Sequence, residues 1–111
     1  MGQVKGNGRA AMGVMEVLGS KWNLLIIWSL RGGPLRFTEL RKRMKDVNSK
    51  TVTHHLRFLE KNCIIERKVF AEVPPRVEYS LTEHGKAILP IMEDIIAWWA
   101  SLPPSREKVS T

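Results

Sequence analysis

Apolar positions in the first half of this 111-residue chain recur at helical spacing, and they predict a run of short helices. In AMGVMEVLG, Met12, Met15 and Leu18 fall at three-residue steps and give a short amphipathic helix that stops at Gly19. Ser20 is placed to cap the next helix, in KWNLLIIWSLRGGP. There Trp22, Leu25, Ile26, Ser29 and Leu30 form one stripe while Leu24, Ile27 and Trp28 fill other faces. A helix apolar nearly all round belongs in the middle of a domain. Gly32, Gly33 and Pro34 end it. Leu35 to Phe37 reads as a short extended piece, and Thr38 as the cap of TELRKRMKDV. In that helix Leu40, Met44 and Val47 face inward, whereas Arg41, Lys42, Arg43 and Lys45 face water.

Asn48 and Ser49 make a turn and a cap, after which SKTVTHHLRFLEKN repeats the helical pattern with Val52, Leu56, Leu59 and Cys63 inward. Its outer face carries Lys50, His54, Arg57 and Lys61, joined in the first turn by Thr51 and Thr53. The period then changes from helical to two. In IIERKVFA, Ile65, Val69 and Ala71 share a face that includes Arg67, and in RVEYSL, Val77, Tyr79 and Leu81 oppose Arg76, Glu78 and Ser80. The two runs flank EVPP and are expected to form a hairpin whose tip Pro74 and Pro75 stiffen. Thr82 caps a last helix from Glu83 to about Leu102, with Ile88, Ile91 or Met92, Ile95 or Ile96, and Trp99 on one wide stripe. Pro90 lies inside it and is expected to cost a hydrogen bond and bend the axis.

The length fits one domain, and no internal repeat or linker divides the chain. The expected organisation is a flexible arm over 1–10, a single folded domain over 11–102 and a disordered tail over 103–111. Cys63 is the sole cysteine, so the chain forms no internal disulfide, which fits a reducing compartment and a cytoplasmic setting. The longest apolar stretches fall far short of the roughly 20 residues that span a bilayer. The glycine-rich start lacks the apolar core of a signal peptide, so neither export nor membrane attachment is expected.

Charge changes the picture most. Eighteen Lys and Arg against 11 Asp and Glu give +7, which favours an anionic partner. Residues 36–76 hold eleven Lys or Arg against five acids, whereas residues 82–102 hold one Lys against three acids. Two short helices joined by a tight turn, the second with a cationic outer face and followed by a hairpin, describe a winged helix-turn-helix. The fold class is therefore mainly α with a small β-hairpin and an additional long C-terminal helix for dimerisation.

In that fold the helix over 49–62 enters the major groove of double-stranded DNA and the wing over 64–81 reaches the adjacent minor groove. The candidate contacts are Ser49, Lys50, Thr51, Thr53, His54 and Arg57 on the helix, with Lys42 and Arg43 on the preceding helix at the DNA backbone. On the wing they are Arg67, Lys68 and Arg76, the last aimed at a narrow minor groove. Met12, Met15, Ile88, Met92, Ile95, Trp98 and Trp99 are the candidate interface of a homodimer, which would present two such helices to a palindromic site.

Other readings of the same residues are weaker. His54 and His55 point about 100° apart on a helix and no further ligands complete a metal set. His54 reads as a groove contact and His55 as partly buried packing. The four tryptophans read as core or interface, with an unidentified small-molecule effector between the dimerisation helices as the minor alternative. No nucleophile with its base, phosphate loop or carboxylate dyad is visible, so neither enzymatic activity nor a cofactor is expected. The main alternative is a winged helix that binds protein without sequence-specific DNA recognition.

Three stretches, VLGSKWNLLIIWSLRGGPLRFTELRKRM, SKTVTHHLRFLEKNCIIERKVF and EVPPRVEYSLTEHGKAILPIM, resemble the HxlR family of transcription regulators, relatives of the MarR group, over residues 17–92. The resemblance implies a homodimeric winged-helix DNA-binding repressor or activator. Many members carry a cysteine ahead of the first helix, and some sense oxidants or electrophiles through it. This chain has none there, and Cys63, on the inward stripe, reads as an inert core thiol, so redox sensing does not carry over.

Overall fold

The computed structural model describes residues 8–104. Helix α1 spans Gly8–Leu18, α2 Lys21–Ser29 with a 3-10 turn at Leu30–Gly32, α3 Phe37–Arg43, α4 Ser49–Lys61 and α5 Glu83–Ala100. Strands β1 (Leu35–Arg36), β2 (Ile65–Phe70) and β3 (Arg76–Leu81) make one antiparallel sheet in the order β1-β3-β2. The arm expected over 1–10 lies outside the described residues except for 8–10, which begin α1. The tail expected over 103–111 lies outside them except for 103 and 104.

Local side-chain chemistry sets most boundaries. Ser20 accepts from the amide of Asn23, Asn48 from that of Thr51 at 2.8 Å, and Thr82 from that of Gly85 at 3.1 Å, each capping a helix start. Thr38 does not cap α3. The cap position is two residues earlier, at Arg36, and the Glu39 carboxylate accepts from the Arg36 amide at 2.7 Å. The C-terminal end of α3 is also earlier than periodicity suggests, because the chain turns at Met44 and Val47 reaches the core from the loop.

The core draws Ile26, Ile27 and Leu30 from α2 and its turn, Leu40, Met44 and Val47 from α3 and the following loop, and Val52, Leu56 and Leu59 from α4. Ile65, Leu81 and Met92 close it from the sheet and α5. Helix α2 is the central element, as its all-round apolar character predicts. Truncating one of these side chains to alanine would cost about 2–5 kcal/mol.

The short extended piece at 35–36 is a strand that pairs with β3, Leu35 opposite Tyr79 and Arg36 opposite Glu78. In the wing, Ile65 faces Leu81, Arg67 faces Tyr79 and Lys68 faces Glu78. Beyond Ile65 the face of β2 opens to solvent, so Val69 is exposed rather than packed.

Cys63 departs from the expected core position. It lies past the end of α4 with φ +62°, and its side chain is exposed. The left-handed turn rotates it off the inward stripe. That turn is instead clasped to α5: the Thr82 amide donates to the Ile64 carbonyl at 3.0 Å, and the Thr82 hydroxyl lies 2.6 Å from the Cys63 carbonyl oxygen. A Cβ on Gly85 would come within 2.1 Å of the Ile64 carbonyl oxygen, so only glycine permits this approach.

Asn23 is the buried polar hub. Its Nδ2 donates to the carbonyls of Glu16 and Val17 at 3.4 and 3.3 Å, and its Oδ1 lies 2.8 Å from His55 Nδ1. With Nδ2 committed to two acceptors, Oδ1 must accept and His55 Nδ1 donates. One side chain thereby ties the end of α1 to α2 and α4.

Candidate nucleic-acid interface

The expected outer face of α4 forms a real surface. Ser49, Lys50, Thr53, His54 and Arg57 line one open recess of about 410 Å³, because the inward residues Val52, Leu56 and Leu59 fix the helix roll. Thr51 is half-buried in the first turn, where Asn48 holds its amide. Lys50 and Arg57 make no hydrogen bond or ion pair among the described residues, so their charges are available to a ligand. His54 stands edge-on to His55 with ring centres 5.2 Å apart. Burial, reinforced by the charge of His54, holds the His55 imidazole below its ordinary pKa. His55 is the packing residue that sequence suggested, with a hydrogen-bonding role added.

On α3, Lys42 is exposed as expected, whereas Arg43 is tied back by donating to the Ser29 carbonyl at 3.1 Å. Arg43 thereby satisfies an orphan carbonyl at the end of α2 and favours its negative dipole end. Arg41 likewise turns from solvent, donating to the carbonyls of Val47 and Met44, which stiffens the turn between α3 and α4. Both positions read as free cations from periodicity alone, because the carbonyls they reach, fourteen residues back for Arg43 and in the following turn for Arg41, leave no signal in the helical pattern.

The wing divides its cations in two. Lys68 is exposed and without a partner among the described residues, opposite Glu78 in register. Arg76 is captured: it donates to Glu72 at 2.8 and 3.1 Å and to Glu78, and its guanidinium lies 3.8 Å above the Phe70 ring. The hydrogen bond to Glu72 raises its pKa, with both carboxylate charges adding to that and burial opposing. Two carboxylates against one guanidinium leave this tip negative, so Arg76 serves wing structure before any anion. Arg67 lies 3.6 Å from Glu60 and borders Arg57, Thr53, Leu56 and Tyr79. Glu60 and Tyr79 were not among the candidates. Their signals are the three-residue step from Arg57 to Glu60 and the cross-strand pairing of Tyr79 with Arg67.

The second surface, on α1 and α5, is of opposite character. Met12, Met15, Ile91, Ile95, Ile96, Trp98 and Trp99 are 47–65% exposed, a large apolar area for one folded unit. Met92 is not part of the exposed set; at 8% it is a core residue. Ile88 is half-buried against the same core. Between Leu18, Leu24, Met92, Ile95 and Ile96 an apolar recess of about 330 Å³ opens to solvent. Among the described residues no single helix is long and apolar enough to cross a membrane.

The profile of the HxlR-like helix-turn-helix family matches residues 17–106. An uncharacterized HTH-type transcriptional regulator of Methanothermobacter thermautotrophicus is 43% identical over 81 residues, covering 73% of this chain and 62% of that protein. The HTH-type transcriptional regulator YodB of Bacillus subtilis is 40% identical over 83 residues, covering 75% of this chain and 74% of that protein. Among solved structures, the redox regulator HypR in its reduced form superposes with a TM-score of 0.81 at 33% identity, covering 89% of this chain and 98% of HypR.

Proposed function

This chain belongs to the HxlR-like helix-turn-helix family, and we propose that it is a DNA-binding transcriptional regulator that reads double-stranded DNA as a homodimer. The observation that carries the reading is the recess shared by Ser49, Lys50, Thr53, His54 and Arg57. It presents hydroxyls, an imidazole and two unpaired cations from the first three turns of a helix narrow enough for the major groove. The hydroxyls and imidazole bond to base edges, while Lys50, Arg57, Lys42 and Lys68 take phosphates or guanine. Arg43 and Arg76 act from behind, holding α2 and the wing tip in shape.

The apolar surface of α1 and α5 takes a second copy of the chain, whose side chains fill the recess beside Ile95 and Ile96. Two recognition helices then face one side of a palindromic operator at about 34 Å spacing. The setting of this activity is cytoplasmic, with neither cofactor nor catalytic chemistry.

Salt titration of DNA binding tests the reading. Affinity is expected to fall steeply with salt as Lys and Arg release counterions, and Arg57→Ala to weaken binding about tenfold. A folded protein that binds no duplex at low salt would instead favour a protein-interaction module.

A further inference from the structure

Thr53, Leu56, Arg57, Glu60, Arg67 and Tyr79 enclose a recess of about 220 Å³ in the crevice between α4 and the wing. Its composition is that of an anion seat with one anion already inside. Arg57 approaches from the helix and Arg67 from β2, Tyr79 stands beside Arg67 on β3, and the buried Leu56 forms the floor. Two guanidiniums against the Glu60 carboxylate leave one uncompensated positive charge. The Tyr79 hydroxyl has no hydrogen-bond partner among the described residues. Burial pushes its pKa up, against the opposing charge of Arg67, so the phenol stays a neutral donor.

We propose that this recess seats a single DNA phosphodiester held by Arg57, Arg67 and the Tyr79 hydroxyl, with Glu60 occupying Arg67 until the DNA arrives. The inference rests on the DNA-binding reading above. When a helix lies in the major groove and a hairpin meets the adjacent minor groove, the strand separating those grooves has to cross between them. In this fold that crossing is the crevice holding the recess. The Arg67–Glu60 contact is long, at 3.6 Å, and its side chains are 48% and 37% exposed. Such a pair is weak, so a phosphate that also gains Arg57 and Tyr79 displaces the carboxylate at little cost. Glu60 thus acts as an intramolecular competitor that lowers backbone affinity, and Tyr79 positions the phosphate without reading sequence.

The test uses the full chain and a fluorescent mixed-sequence duplex of about 30 base pairs at about 50 mM salt, where backbone contacts dominate. Glu60→Gln is expected to tighten binding about three- to fivefold. Glu66→Gln removes the same charge one residue before Arg67, where its carboxylate lies 3.5 Å from the Ser80 hydroxyl outside the recess, and is expected to change little. The Glu60→Gln gain disappears in an Arg67→Met background, and Arg67→Met lowers the salt slope by about one. Tyr79→Phe weakens binding about threefold with unchanged thermal stability. Equal gains from Glu60→Gln and Glu66→Gln, or wild-type binding by Tyr79→Phe, would overturn the phosphate seat while leaving the DNA-binding reading intact. Absence of duplex binding by the wild type would sink both. A second arm adds inorganic phosphate without DNA; saturable shifts of the Tyr79 resonances at sub-millimolar phosphate would assign the recess to a free oxyanion and overturn the proposal.

Discussion

The two exposed surfaces of this protein are built on opposite plans. On α4 and the base of the wing, the outward side chains are mostly hydroxyls and cations, with Lys50, Arg57 and Lys68 unpaired among the described residues and Arg67 only loosely paired, so the surface is ready for an anion. On α1 and the distal half of α5, the outward side chains are Met, Ile and Trp, with one exposed recess and few charges. Water tolerates the first surface unpaired and disfavours the second. The contrast fits the proposed division of labour, in which the wet, charged face takes nucleic acid and the apolar face takes a second copy.

The surfaces are not independent. The turn that ends α4 and begins the wing is clasped to the start of α5 by Thr82, and Asn23 links His55 of α4 to the end of α1. Helix α4 is therefore held at its middle through His55 and just past its C-terminal end through Thr82.

The largest expected effect comes from destroying the apolar plan. Ile95→Asp should reduce the solution mass at micromolar concentration to that of a single chain and weaken operator binding about 100-fold or more, because one half-site alone loses avidity. Sedimentation and anisotropy read both quantities. An unchanged mass would show that this face does not join two copies.

Cutting the brace comes next. In Gly85→Ala the new methyl meets the Ile64 carbonyl oxygen at 2.1 Å, and the backbone has to move. A loss of about 3 kcal/mol in urea unfolding is expected, with DNA affinity falling beyond what the unfolded fraction explains. A smaller effect sharpens the cationic plan. Lys68→Ala should weaken duplex binding about three- to fivefold, and Arg76→Ala by less, since the Arg76 guanidinium is already engaged by Glu72 and Glu78.

The smallest effect is the pH response of His55. Its folded pKa is depressed below 6.5, so its contribution to stability is complete above that value. As pH falls from 6.5 through the folded pKa, the unfolded chain takes up the proton first and the contribution is lost. The urea midpoint of the wild type should therefore drop between about pH 7.5 and about pH 5.5, and His55→Gln should flatten that drop.

Much of this was legible in the sequence because it is local. Helix starts at Ser20, Asn48 and Thr82 follow from one hydroxyl or amide three residues before the amide it caps. The core followed from period 3.6, and the wing from the change to period 2 around the two prolines. What escaped depends on distance in the chain. No periodicity indicates that Arg43 would find the Ser29 carbonyl, that Glu72 and Glu78 would capture Arg76, or that a left-handed turn would swing Cys63 outward. Thr38 lost its capping role to an equally local competitor, because Glu39 reached the Arg36 amide first. Candidate site residues on α4 stood where expected because one helix fixes them all. Candidates on the wing were less legible in their surroundings, because the partners of Arg67 and Arg76 lie on neighbouring elements or across the tip.

One footprint tests the central claim most directly. On the DNA upstream of the protein's own gene, the account predicts two protected half-sites with centres about one helical turn apart, lost when Ile95 is replaced by Asp. Protection of a single half-site, or none at concentrations where the protein is folded, would contradict it.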